Sequence, residues 1–226
     1  PQHKICFTGN LFGCPFGHFP NLVTIRGDRY REALVVARAV ETVRTLEPEM
    51  ICYGHHGPVI GRQLIQDELT ALYQAIHHVH DETVKGMNEG KDVYTLMSEI
   101  SLPAEMEVGE GYGKVSWSVR AIWESYGGWF HHRSTTELYA VPQSSVAGDI
   151  VELSGGAAAI LQRAQEKFAS GHNEEALHLL DIVRDADADT TESRELGVRI
   201  HEALLKRTDN FWLSSWLKNE IKGLQA

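Results

Sequence analysis

Only two stretches of this 226-residue chain read as β-strands, "KICFTG" (4–9) and "EMICYG" (49–54), and both lie in its first quarter. Each is a short apolar run stopped by glycine. Each is followed by a loop and then a helical pattern. The first loop, residues 10–28, is long and rich in Gly and Pro, and loops of that length inside compact domains are often functional. Asp28 is placed to N-cap the helix "RYREALVVARAVETVRTL", which Pro48 ends. A second helix, "GRQLIQDELTALYQAIHHVHDETVKGMNEG", ends near Gly90. Strand, loop and helix taken twice is the pattern of an α/β layer. Two strands cannot make an independent sheet, so further strands must come from elsewhere. The chain also opens at Pro1, with no methionine, on what reads as a strand already in mid-sheet. We therefore expect a piece of a longer protein.

After residue 90 the pattern becomes all-helical, with six periodic segments punctuated by Gly or Pro, the last being "NFWLSSWLKNEIKGL". The stretch "AQEKFASGHNEEALHLLD" has the small-residue and aromatic spacing of a tetratricopeptide-like helix pair. One such unit is too few for a solenoid, so helix pairs packed inside one domain are the expectation. Trp117, Trp123, Trp129, Trp212 and Trp216 either fill that core or leave apolar surface for self-association.

The net charge of −10 argues against nucleic acid or an anionic membrane as partner, because phosphate binding needs clustered Lys and Arg. No apolar run approaches the roughly 20 residues of a membrane span. Three cysteines, Cys6, Cys14 and Cys52, form no disulfide framework, which predicts a reducing cytoplasm.

Two places have residues suited to chemistry. In "MICYGHHGPVIG" (50–61) a strand ends in His55 and His56, where ligand-binding loops gather in α/β folds. One imidazole could bind a metal of the zinc type; equally, both could bond to backbone or solvent. In "FPNLVTIRGDRYREA", Asn21, Arg26 and Arg31 suit a tetrahedral oxyanion such as sulfate or phosphate. Arg31, expected in the first helical turn, would need an anion there, either a ligand or Asp28 or Glu32. Cys14 is a weaker thiol candidate. His77, His78 and His80 read as interface or surface residues, and His131 and His132 as loop packing and capping.

The segments "FTGN…PNLVTIRGDRYREA…GHHGPVIG", "VHDETVKGMNEGKD", "LPAEM", "YGKVSWSVRAIWESYGGW" and "LSGGAAAILQRA", in that order, resemble the alkyl sulfatase family. The resemblance runs from about residue 3 to the C-terminus. It implies an α/β part, residues 1–70, that is the second half of a metallo-β-lactamase-like αββα sandwich. Residues 71–226 would be an all-α helical dimerisation domain. It further implies a binuclear zinc site whose activated water attacks a sulfate ester or similar small-molecule ester, in a homodimer. By motif, His55 matches a metal ligand and Asn10 falls at the acidic-ligand position. Asn21 and Arg31 match sulfate-holding positions, with Arg26 beside them, and Tyr112 matches a residue near the catalytic centre. The sequence departs from the family in having Gly9-Asn10 where a Glu-Asn pair is usual, and in lacking HxHxDH. Most zinc ligands would then lie in a missing N-terminal half. The alternative reading is a non-catalytic helical dimerisation or interaction module with a vestigial metal loop.

Overall fold

The structure, a computed structural model, describes residues 3–13, 16–23, 25, 27, 29–106 and 108–226. Cys14, Arg26 and Asp28 lie outside the described residues. Two compact units divide between Ser134 and Thr135.

The first unit holds a three-stranded sheet, β1 (Ile5–Gly9), β2 (Met50–Tyr53) and β3 (Val59–Ile60), in that order. β1 and β2 are parallel, with Ile5 opposite Met50 and Gly9 opposite Tyr53. A parallel pair needs a crossover, and α1 (Ala33–Thr45) supplies it. β3 was not expected. Val59 and Ile60 turn back antiparallel on Ile51 and Met50, so the expected histidine loop is the turn of a hairpin. A two-residue strand is too short to show a period of two in sequence.

Helix α1 starts later than expected. Glu32 is its N-cap, with no side-chain cap, and Arg31 precedes the helix instead of occupying its first turn. The reason is tertiary: the Arg31 N–H donates to the Leu22 carbonyl at 2.8 Å, which keeps residues 29–32 out of the helix. Helix α2 (Arg62–Asn88) closes near Gly90 as expected and packs on α1 and on α4 (Val115–Gly127). Between them, α3 (Val93–Glu99) is capped by Asp92, whose carboxylate accepts from the Tyr94 and Thr95 N–H groups. Residues 71–134 therefore share the first unit's core, in which Phe19, Leu22, Ile51, Ile65, Leu72, Ile76 and Val119 are among the buried side chains.

The second unit is all helical: α5 (Ala147–Leu153), α6 (Ala157–Ala169), α7 (Asn173–Asp185), α8 (Thr191–Leu205) and α9 (Phe211–Leu224). Successive helices from α6 onward pack on one another, as the helix-pair reading expects. Their small core is Leu161, Ala164, Ala176, Leu196 and Ile200. Thr190 and Ser193 form a capping box on α8, and Asn210 caps α9. Of the tryptophans only Trp123 is in the core, while Trp129 and Trp216 are exposed. No single helix is long and apolar enough to cross a membrane.

Candidate functional site

Because β1 and β2 run parallel, their C-terminal ends emerge side by side, and the loops that leave them meet. The Gly54 N–H donates to the Gly9 carbonyl at 2.8 Å. A Cβ on Gly54 would lie 1.8 Å from Oδ1 of Asn10, so only glycine lets the Asn10 side chain cover this backbone. Asn10 thus rests against the residue preceding His55. His55 itself is exposed, and His56 takes a left-handed φ of 61°, a conformation that costs a non-glycine residue free energy and recurs at functional sites.

Asn10 also lines a cleft of about 430 Å³ together with Leu11, Tyr30, Arg31, Glu32, Val35, Val36 and Ala39. Two of the residues expected at the site, Asn10 and Arg31, therefore share one cavity. The Arg31–Leu22 backbone bond ties Arg31 to the neighbour of Asn21. Asn21 is buried, and its Oδ1 has no hydrogen-bond partner. An unmet buried acceptor costs about 1–3 kcal/mol, and stable folds rarely carry one without a reason.

On its other side the Asn21 loop is held by a glycine-rich segment, "VGEGYGK" (108–114). The Phe19 N–H donates to the Gly109 carbonyl at 2.7 Å, and the Gly113 N–H returns a bond to the Phe19 carbonyl at 3.1 Å. The Gly111 N–H donates to Nδ1 of His18 at 3.1 Å. A Cβ on Gly113 would sit 2.1 Å from the Pro20 carbonyl oxygen and 2.8 Å from the Asn21 nitrogen. Tyr112, half-buried, is carried by this clasp immediately beside Asn21. Asn10, Asn21, Arg31, His55 and Tyr112 are thus linked stepwise: Asn10 lies against the neighbour of His55 and shares a cleft with Arg31, whose backbone bonds the neighbour of Asn21, and the glycine clasp carrying Tyr112 meets Pro20 and Asn21. Of the expected site residues, Arg26 and the weaker candidate Cys14 lie outside the described residues.

The sequence reading missed the support behind Arg31. The Tyr30 hydroxyl donates to Oε2 of Glu124 on α4 at 2.7 Å. Oε1 of the same carboxylate accepts from Arg120 Nε at 2.8 Å and lies 2.9 Å from His131 Nε2. Burial pushes the Glu124 carboxyl up, but the bonds from Tyr30, Arg120 and His131 outweigh it and hold it below the usual carboxylate range. The bond to Glu124 also raises the Tyr30 hydroxyl above the usual phenol range. A signal existed: Glu124 is the only acid in the apolar helix α4. His131 fits the loop-packing reading. His80, expected at an interface or the surface, is buried, with Asp81 Oδ1 at 2.7 Å and the Tyr126 hydroxyl of α4 at 2.8 Å.

A larger cleft of about 810 Å³ in the second unit includes Gln165, Glu192 and Arg194. Of its charged groups, Glu192 is bonded by Gln165, Arg194 donates to Asp189, and Arg199 lies over the Phe168 ring. The residues at the sheet end do not complete a metal centre. Among the described residues no three His, Cys, Asp or Glu side chains converge. A zinc site needs three or four ligands. His55 would supply one imidazole, and the Asn10 amide is a poor substitute for a carboxylate.

The alkyl sulfatase dimerisation family matches residues 95–224. A linear primary-alkylsulfatase of Pseudomonas sp. is 28% identical over 221 residues, covering 96% of this chain and 41% of its own length. An alkyl/aryl-sulfatase of Saccharomyces cerevisiae is 28% identical over 208 residues, covering 88% of this chain and 32% of its own. The stereoselective inverting sec-alkylsulfatase Pisa1 from Pseudomonas sp. shares the fold with a TM-score of 0.87 at 23% identity, over 98% of this chain and 36% of that one. The chain thus spans well under half the length of these relatives. Its small sheet and predominantly helical body match their dimerisation region, and with more than half of its residues covered the chain belongs to the alkyl sulfatase dimerisation family.

Proposed function

We propose that this chain is the dimerisation region and one wall of the active site of a metallo-β-lactamase-fold hydrolase that cleaves sulfate esters. The observation that carries the reading is the cleft that Asn10 and Arg31 share, with Asn10 against Gly54, the residue preceding His55, and with backbone bonds that join the Asn21 loop to Arg31 and to the segment carrying Tyr112. In this reading the Arg31 guanidinium, half-buried at the cleft, binds two sulfate oxygens in its planar fork. The Asn21 amide donates to a third oxygen. Tyr112 brings a hydroxyl to the same loop, and the apolar Leu11, Val35 and Val36 suit an alkyl chain. The exposed Ile5 and Phe7 on β1 support a sheet that continues into further strands of the hydrolase domain. Zinc, when bound, would activate water; this chain contributes His55 to it, and no step is derived through a metal whose other ligands are not among these residues. The active molecule is a homodimer.

The test is to purify the gene product that contains this chain and measure zinc per chain by plasma mass spectrometry and hydrolysis of a linear primary alkyl sulfate. The reading expects stoichiometric zinc that falls in His55→Ala, and activity lost at least 100-fold in Arg31→Ala with zinc retained. A gene product with neither zinc nor hydrolysis would leave a helical dimerisation module with an inherited histidine loop.

A further inference from the structure

Among the described residues the Arg31 guanidinium makes neither a hydrogen bond nor an ion pair, so its charge is available to the cleft it lines. A long, flexible side chain holds an anion well only when the backbone that carries it is already in place. Here that backbone is fixed at three points. The Arg31 N–H donates to the Leu22 carbonyl at 2.8 Å, and Glu32 after it is the N-cap of α1. Before it, the Tyr30 hydroxyl donates to Oε2 of Glu124 at 2.7 Å. Tyr30 lines the same cleft and is 46% exposed. Packing therefore does little to hold its ring, and the hydroxyl is what fixes it.

Stability alone does not account for Glu124. Its side chain is only 11% exposed, on the apolar helix α4. Apolar side chains of similar volume often match a buried ion pair in stability. What they cannot do is accept a phenol hydroxyl from a fixed direction. The charge is met at the other oxygen, where Oε1 accepts from Arg120 Nε at 2.8 Å and faces His131 Nε2 at 2.9 Å. His131 is in turn set edge-on against the Trp123 ring, with centroids 5.3 Å apart. A carboxylate in direct contact with Arg31 would pair with it and take the place of a substrate anion. With a neutral phenol in between, Glu124 fixes the segment and leaves the guanidinium unpaired. The same bond raises the hydroxyl above the usual phenol range, so Tyr30 remains a donor.

We propose that Glu124, acting through the Tyr30 hydroxyl, positions the Arg31 guanidinium for the anionic end of the substrate. Glu124 and Tyr30 are positioning residues, and Arg31 is the group they hold. The inference rests on the sulfate-ester reading above and adds the device that keeps its anion-binding group in place.

The test uses the gene product that contains this chain, with octyl sulfate as substrate and inorganic sulfate and octanol as inhibitors. Tyr30→Phe keeps the ring and removes only the bond. It should lower kcat/KM about 10- to 100-fold and weaken inhibition by sulfate about as much, while inhibition by octanol changes less than about twofold. In Arg31→Ala the same Tyr30→Phe change should have no further effect, because a residue that acts through Arg31 has nothing left to act on. Glu124→Gln, which keeps an acceptor for the hydroxyl, should fall between the wild type and Glu124→Ala. Ile76→Val, a truncation in the core of the same unit, should leave all three constants unchanged. Should the Glu124 variants fail to fold, the Tyr30→Phe change in the two backgrounds decides alone. Three outcomes overturn the inference and leave the sulfate-ester reading standing. One is a Tyr30→Phe enzyme with wild-type constants, and another is a loss that persists in full in Arg31→Ala. The third is an equal loss of octanol inhibition, or an Ile76→Val effect of the same size, which would mean general loosening. A wild type that does not hydrolyse octyl sulfate overturns that reading and the inference with it.

Discussion

The Tyr30 hydroxyl donates to the Glu124 carboxylate at 2.7 Å, and this bond ties the residue preceding Arg31 to helix α4. Glu124 receives Arg120 and His131 at its other oxygen, so one carboxylate organises three elements of the first unit. Tyr30→Phe removes one donor and leaves the carboxylate two others. It should cost about 0.5–1.5 kcal/mol in urea unfolding, while Glu124→Leu, which strands all three donors, should cost about 1–3 kcal/mol or more.

The same carboxylate gives the first unit an acid-sensitive element. Its folded pKa is held below the ordinary value of 4.5, so protons bind the unfolded chain more readily. Its contribution is fully present above that value and is lost as pH falls below it towards the folded one. Urea midpoints recorded from pH 6 down to pH 3 should drop for the wild type, and less steeply for Glu124→Gln. Parallel curves would show that other carboxylates account for the drop.

Gly113 is fixed by contact rather than by backbone angle, because its Cβ position is 2.1 Å from the Pro20 carbonyl oxygen. Gly113→Ala must push the clasp off residues 19–21, at a cost of about 1–3 kcal/mol. Its melting temperature should fall, and amide exchange at Phe19 should quicken as its bond to Gly109 loosens. Gly148→Ala, inside α5 where a Cβ meets open space, is the control: it should leave exchange at Phe19 unchanged and should not lower the melting temperature.

In the second unit Asn210 accepts from the Trp212 and Leu213 N–H groups at 3.1 Å. Asn210→Ala should cost about 0.5–2 kcal/mol, and Asn210→Asp should retain most of the stability, as read by thermal melting. Ala164 and Ala176, both fully buried, belong to the α6–α7 core. Ala164→Leu should therefore destabilise by about 1–3 kcal/mol through overpacking, and a neutral result would mean that this core is loosely packed.

The helices were legible in the sequence because each buries one face and so writes a 3.6-residue period. That includes α2, ended near Gly90, and the four helices α6 to α9. What was not legible depends on bonds between distant backbones. The start of α1 is set by Leu22 accepting from Arg31, and the Phe19–Gly109–Gly113 clasp joins segments some 90 residues apart. Neither leaves a local pattern. α5 and the turns before it were missed because nothing there is periodically buried. Motif order named Asn10, Asn21, Arg31, His55 and Tyr112. The contact of Asn10 with Gly54 required the parallel register of β1 on β2, and the role of Glu124 required its partners to be seen. Between an interface and the surface the sequence could not place His80, because its burial depends on Tyr126, which lies on another helix.

The parallel pairing of β1 with β2 also bears on how the chain reaches its fold. Ile5 finds Met50 only after the whole of α1 has been made and laid across, so a long loop must close before any ladder bond forms. The helices α6 and α7 need close only the short connection at residues 170–172. Within this chain β1 is made well before its partner β2, whereas each later helix meets its neighbour soon after release. The first unit is therefore the one whose nascent state chaperones would meet, and the helical unit the one that folds by local contacts alone.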